Sequence, residues 1–169
     1  KKWWPDNSSN LLKLKLTGGE PLMDTVLDDI LDLLDRFPNP KLDLEIITNL
    51  SYSNSHLDNF LKKVKKLKEE MKINNIIFFC SIDNINNKAE FIRGNLNFNH
   101  FNSNLRSLLL SNIVDISIIH TFNIFSLFSL SDFFKYFYNL EDEFDVKINI
   151  DLPPLSAPMF LSIYLLNSD

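Results

Sequence analysis

Cysteine occurs once in the 169 residues, at Cys80. A lone cysteine excludes an internal disulfide and any metal or cluster site built from this chain's cysteines alone. Free cysteine is among the most buried residue types, so Cys80 reads as a small core hydrophobe. The histidines His56, His100 and His120 lie too far apart in sequence for a local zinc signature, and no metal ligand is assigned. Missing as well are a signal-type apolar segment and any apolar run of about 18 residues. The chain therefore reads as cytoplasmic, with no membrane partner. It opens Lys1-Lys2-Trp3-Trp4-Pro5 without an initiator methionine, and a piece of a longer protein is expected.

Basic residues do not dominate: 17 Lys and Arg stand against 22 Asp and Glu, for a net charge of −5. The electrostatic footprint of a general nucleic-acid or anionic-membrane binder is absent, and no DNA partner is expected. A local basic run, Lys62, Lys63, Lys65, Lys66 and Lys68, lies over an apolar stripe of Leu57, Phe60, Leu61, Val64 and Leu67. That is the pattern of a solvated outer helix face. Glycine is scarcest relative to average usage, which at about 7% would give roughly twelve. The chain has three, and two are adjacent, Gly18 and Gly19. A chain that places Asn and Ser at most of its turns, yet keeps one Gly-Gly pair, needs bare backbone there.

What is present, 45% hydrophobic and 23% charged residues, describes one soluble domain with a real core and excludes disorder and collagen. Residues 11–17 alternate apolar and polar and stop at Gly18-Gly19, a strand followed by a tight turn. From Asp24, placed as an N-cap, apolar residues recur at helical spacing to Phe37, and Pro38 with Pro40 marks the stop. Strands over 42–49, 75–83, 114–123 and 146–152 alternate with helices over 55–71, 88–92, 99–110 and 131–140. Strand starts recur at roughly 30 to 38 residues, the length of a right-handed βαβ unit. This predicts an α/β fold with a parallel sheet.

The strands keep one polar face, whereas a parallel sheet covered on both sides shows near-continuous apolar runs. That face comprises Lys13, Lys15 and Thr17, then Glu45 and Asn49, then Ser81 and Asp83; Asp115, Ser117, Thr121 and Asn123 continue it to Lys147, Asn149 and Asp151. A closed eightfold barrel packs its lumen with branched side chains. Five strands with a polar inner face predict an incomplete parallel (β/α) barrel, a partial TIM barrel that holds a polar ligand. An open sheet with one solvated face is the plainer alternative. Polar residues also gather at the C-terminal strand ends, where α/β folds place ligands.

At the end of the first strand stands Thr17-Gly18-Gly19-Glu20-Pro21. The glycines admit a ligand to main-chain amides and carbonyls, Glu20 adds an acceptor, and Pro21 stiffens the exit. A mere turn is the plain alternative. A phosphate cradle is a further one, although Glu20 adds negative charge and Pro21 removes an amide donor.

LKLTGGEPLM, then LEIITNL one βαβ unit later, then FFCSIDN after another, resembles the radical S-adenosylmethionine (radical SAM) enzymes in order and spacing. SIDNINNKAEFIRG, the segment 112–119, HTFNIFSLFSL and PMFLSIYLL resemble the twitch-domain branch of that family. The resemblance implies a linker over 1–10, strands two to six of a partial barrel over 11–155, and the start of a further region over 156–169. It implies SAM and a 4Fe-4S cluster as cofactors, the cluster ligated by a CxxxCxxC loop that this sequence lacks. It also implies an external electron donor and reductive cleavage of SAM to methionine and a 5′-deoxyadenosyl radical, which abstracts hydrogen from a substrate. Peptide, RNA and small metabolite stay open as substrates, and a non-catalytic SAM-binding scaffold is the alternative function.

Carried over by position, Gly18, Gly19 and Glu20 match the receptor for the methionine ammonium. That group has three donors and no acceptor, and carbonyls bared by glycine suit it. Ser81 and Asp83 match a strand-end pair near the SAM ribose or carboxylate, and Arg93, in IRG, an arginine near the carboxylate. Asn123 falls on the ribose or adenine side. Thr48 and Asn49 are expected to face substrate.

Overall fold

The computed structural model describes residues 3–52 and 54–164. Five strands form one parallel sheet: β1 Lys13–Leu16, β2 Asn39–Thr48, β3 Ile73–Ser81, β4 Asp115–Ile119 and β5 Asn149–Asp151. Their spatial order is their chain order, β1-β2-β3-β4-β5. With right-handed crossovers, an order that never reverses carries every connecting helix to the same face. The helices are α1 Trp3–Asn7, α2 Thr25–Arg36, α3 Asn54–Glu69, α4 Asn86–Ile92, α5 Phe98–Ser111 and α6 Leu130–Phe144. The α/β architecture with a parallel sheet is as expected, and its one-directional winding is compatible with an incomplete (β/α) barrel.

Alternation within the strands separates two environments. Leu42, Leu44 and Ile46 of β2, Ile76, Phe78 and Cys80 of β3, and Ile118 of β4 are fully buried. They pack with Leu31 and Leu34 of α2, Leu57 and Val64 of α3, and Phe101, Leu105 and Leu108 of α5 in one core. The opposite face holds the expected polar residues, with Glu45 buried between Lys13 at 2.5 Å and Lys15 at 3.7 Å. It also carries half-buried Ile47, Ile77, Phe79 and Ile119. This inner face therefore mixes polar and apolar side chains, with buried Ser117 in register with Phe79.

Local chemistry explains the element ends. The Asp24 carboxylate accepts from the Val26 amide at 2.9 Å and starts α2, and Asn97 caps α5 through the His100 amide at 2.9 Å. Asn112 and Asp145 close α5 and α6 in the left-handed region, at φ 51° and 52°. Short polar side chains tolerate that region, which is how the chain ends helices with so little glycine.

Several expected bounds shift. Pro40 lies inside β2, ahead of the stretch Asp43–Ile46 that pairs on both sides, so its missing amide breaks no central ladder. β4 ends at Ile119 rather than 123, and a single bridge, Phe122 with Pro154, continues its line. The α3 lysines are not simply solvated: Lys63 reaches Asp28 at 2.8 Å and Asp32 at 3.3 Å, and Lys66 reaches Asp35 at 3.1 Å, all on α2. Within the expected linker, α1 buries Trp4, and the Asn39 amide holds Ser8 O at 2.6 Å and Leu11 O at 2.7 Å.

Phe78 is fully buried and meets Phe60 edge-on, ring centres 5.4 Å apart. Phe78→Ala is predicted to destabilise the fold by about 3–5 kcal/mol in urea unfolding; a loss below about 1 kcal/mol would contradict this packing.

Candidate functional site

Beyond Leu16 the chain crosses the C-terminal edge of the sheet through Thr17, Gly18 and Gly19, all exposed. Both glycines have positive φ, +90° and +55°, where a side chain is costly. A Cβ on either would meet no atom within 4 Å. The backbone path demands glycine, and the space beside it is open to a ligand.

Glu20 closes the turn onto β2. Its Oε1 accepts from the Thr48 hydroxyl at 2.5 Å and its Oε2 from the Asn49 amide at 3.1 Å. Thr48 Oγ1 in turn accepts from the Leu50 amide at 2.9 Å. Leu50 has φ 55°, a left-handed conformation costing about 1–2 kcal/mol for a residue with a Cβ. The end of β2 is thus a tight hook around the carboxylate. Burial pushes the Glu20 carboxyl up from its ordinary range, opposed by hydrogen bonds from Thr48, Asn49 and Leu22. Thr48, expected to face substrate, is 2% exposed, and its hydroxyl serves this hook. Asn49 is half-buried, and its Oδ1 accepts from the Ser51 amide at 2.9 Å.

Two strands across, about 10 Å away at ~4.8 Å per strand, a second cluster ends β3. Arg93 Nε donates to Asp83 Oδ2 at 2.7 Å and Nη2 to Asp83 Oδ1 at 3.2 Å. Its Nη2 also donates to Ser81 Oγ at 2.7 Å, and Nη1 to Ser81 O at 3.2 Å. Asp83 Oδ1 accepts further from the Thr121 amide at 2.9 Å. The structure therefore joins Ser81, Asp83 and Arg93 to one another as well as placing them at the strand ends. Of five guanidinium N–H groups, these bonds leave one Nη1 N–H without a partner among the described residues.

A cavity of about 470 Å³ opens beside this pair, with Asp83, Arg93, Thr121 and Asn123 on its polar wall. Its apolar wall includes Phe91, Ile92, Phe125 and Leu155. Phe91 and Phe125 meet edge-on with ring centres 5.7 Å apart, yet are 75% and 48% exposed. Asn123 is buried: Nδ2 donates to Thr121 O at 2.9 Å and Oδ1 accepts from the Phe125 amide at 3.0 Å. Its polar atoms are engaged in its own turn, and it aims Phe125. Sequence reasoning missed both rings, because phenylalanine in an apolar segment reads as core; their nearness to Arg93 and Asn123 was the available signal.

Cys80 lies in the core, and burial pushes its thiol up. Among the described residues no group of three or more His, Cys, Asp and Glu is placed to hold a metal. Iron–sulfur clusters are held by cysteine thiolates, and the residues of this chain do not fit one.

No family model and no curated protein matches the chain. Two solved structures share its fold. Native anSMEcpe with bound AdoMet is 16% identical with a TM-score of 0.59, over 91% of this chain and 41% of that one. Native anSMEcpe with bound AdoMet and Cp18Cys peptide is 16% identical with a TM-score of 0.55, over 85% and 38%. The chain thus spans about two fifths of the length of these neighbours.

Folded Glu20 holds its proton above the ordinary value near 4.5. As pH rises from that value toward the raised one, the unfolded chain loses its proton first, and stability falls. The stability of the parent chain relative to Glu20→Gln is predicted to decline through this weakly acid window in urea titrations. A difference that stays flat or rises contradicts the assigned burial.

Proposed function

We propose that the chain is the SAM-binding core of a radical SAM enzyme, the class to which anSMEcpe belongs. The carrying observation is that the open Gly18-Gly19 backbone and the Ser81, Asp83 and Arg93 cluster share the C-terminal edge of one parallel sheet, two strands apart. In this reading the main-chain carbonyls at Gly18 and Gly19 receive the methionine ammonium, with the Glu20 carboxylate adding negative charge. The remaining Nη1 proton of Arg93 faces the SAM carboxylate. Ser81, Asp83 and Asn123 border the ribose, and the cavity walled by Phe91 and Phe125 takes the adenosyl end, apolar walls with few polar groups being the ordinary make-up of a ligand pocket.

SAM would supply the reacting group, by reductive cleavage to methionine and a hydrogen-abstracting deoxyadenosyl group. This chain's residues supply position, charge and shelter from water. A 4Fe-4S cluster and an electron donor belong to the proposal only as parts contributed from outside these residues, and no step is derived through them. The twitch-type branch is likewise part of the proposal, and two residues of the text that suggested it, 165 and 166, lie outside the described residues. The Cp18Cys peptide bound by one neighbour favours a peptide among the possible substrates, facing Asn49 on the inner sheet face. The second reading, SAM binding without radical chemistry, is favoured by the burial of Cys80 and by the lack, among the described residues, of a group placed to hold a metal.

Calorimetry with SAM tests the shared core of both readings. Saturable heat is predicted at SAM concentrations on the order of 1 mM or below. Gly18→Val, which puts a branched side chain at φ +90°, should weaken it by about tenfold or more. Absence of binding by the folded parent chain overturns the proposal. Anaerobic treatment with iron and sulfide should leave this chain alone without a sulfur-to-iron charge-transfer band; a band would place cluster ligands among its own residues.

A further inference from the structure

The buried face of α5 carries Phe98, Phe101, Leu105 and Leu108, and in their midst Asn104, which is 0% exposed. Burying a carboxamide among apolar side chains is unfavourable unless its hydrogen bonds are made. Asn104 Nδ2 makes two, to Leu50 O at 2.8 Å and Tyr52 O at 2.9 Å, while its Oδ1 is buried with no hydrogen-bond partner among the described residues. Two carbonyl acceptors fix the amide's orientation, because the flipped amide would set oxygen against oxygen. The partners lie more than fifty residues away in sequence, 54 and 52 positions. Both belong to the loop that leaves β2.

We infer that Asn104 is a positioning residue for the Gly18-Gly19 loop, acting through the β2 hook. The inference rests on reading that loop as the SAM ammonium site. Leu50 is held at φ 55°, and a bulky residue keeps such a conformation only where its surroundings over-determine it. The constraints are the Asn104 bond to its carbonyl and the Thr48 bond to its amide. The same Thr48 hydroxyl donates to Glu20, and the neighbouring Asn49 amide donates to the other carboxylate oxygen. Glu20 follows directly on Gly19. A continuous set of hydrogen bonds therefore runs from the middle of α5 past Leu50 to Glu20, the residue that follows Gly19. Tyr52 takes part through its carbonyl, which accepts from Asn104 Nδ2 at 2.9 Å; its buried phenol makes no hydrogen bond among the described residues. Releasing the Leu50 and Tyr52 carbonyls frees the hook, lets the Thr48 and Asn49 donors drift from Glu20, and loosens the turn.

Amide NMR of the full chain tests this without ligand, since only three glycines are present and Gly94 serves as an internal reference. Asn104→Ser is expected to shift or broaden the Gly18 and Gly19 amides while Gly94 stays in place. Leu108→Ala, which removes a fully buried side chain one turn further along α5, controls for general destabilisation and should leave all three unmoved. The reciprocal variant Glu20→Gln, at a half-buried loop position, should shift the Asn104 side-chain amide protons. Unmoved Gly18 and Gly19 in Asn104→Ser, or an unmoved Asn104 amide in Glu20→Gln, overturns the inference. Asn104→Ser is further expected to weaken SAM binding roughly tenfold, and Leu108→Ala by less than about twofold. A parent chain that binds no SAM removes the proposed function but leaves the NMR outcome standing.

Discussion

The carboxylate of Glu20 ties together the two strand ends on which the rest of the candidate site depends. On one side it ends a turn whose two glycines occupy positive φ; on the other it collects the Thr48 hydroxyl and the Asn49 amide. Neither partner lies on the turn's own strand, so the glycine backbone is placed by β2 rather than by β1. A short edge strand of four residues has few ladder bonds with which to hold a loop rigid. A half-buried carboxylate that accepts from a hydroxyl and a main-chain amide holds it better, since bonds to charged groups are roughly twice as strong as neutral ones.

The second strand-end cluster is organised on the same plan. Asp83, with a side chain 8% exposed, would be costly to bury alone. Arg93 and the Thr121 amide meet its charge, and Arg93 links it back to Ser81. The outcome is a bonded polar wall in which Arg93 lines a cavity, with two partly exposed phenylalanine rings on the same cavity. Between the clusters lies the inner face of the sheet, where buried Ser117 stands in register with half-buried Phe79 beside Ile47, Ile77 and Ile119.

Much of this was legible from residue patterns. Helix and strand periodicity placed every strand of the sheet, because the helix-facing positions are so consistently apolar. The Gly-Gly pair stood out against a chain that closes its helices with Asn112 and Asp145. Other features depend on contacts between distant segments and left no local trace. Asn104 looks like any polar residue on an amphipathic helix until Leu50 and Tyr52 are brought beneath it. Ser81 and Asp83 were recognisable as polar strand-end residues and Arg93 only through the resemblance, and none as bonded to the others, since that requires the end of α4 to fold back over β3. Thr48 was assigned toward substrate by the family resemblance, and only the fold shows that its hydroxyl donates to Glu20. Pro40 signalled a stop and instead lies in a strand, at a place where no central ladder needs its amide.

The central claim is that the backbone at Gly18 and Gly19 receives the SAM ammonium while Arg93 faces the carboxylate of the same methionine end and Ser81 and Asp83 border the ribose. Titrating SAM into the isotopically labelled chain and following individual amides tests this most directly. The account predicts saturable shifts at Gly18, Gly19, Asp83 and Thr121 with a common midpoint, and a stationary Gly94. Shifts confined to one of the two strand ends, or spread evenly over the chain, would contradict it.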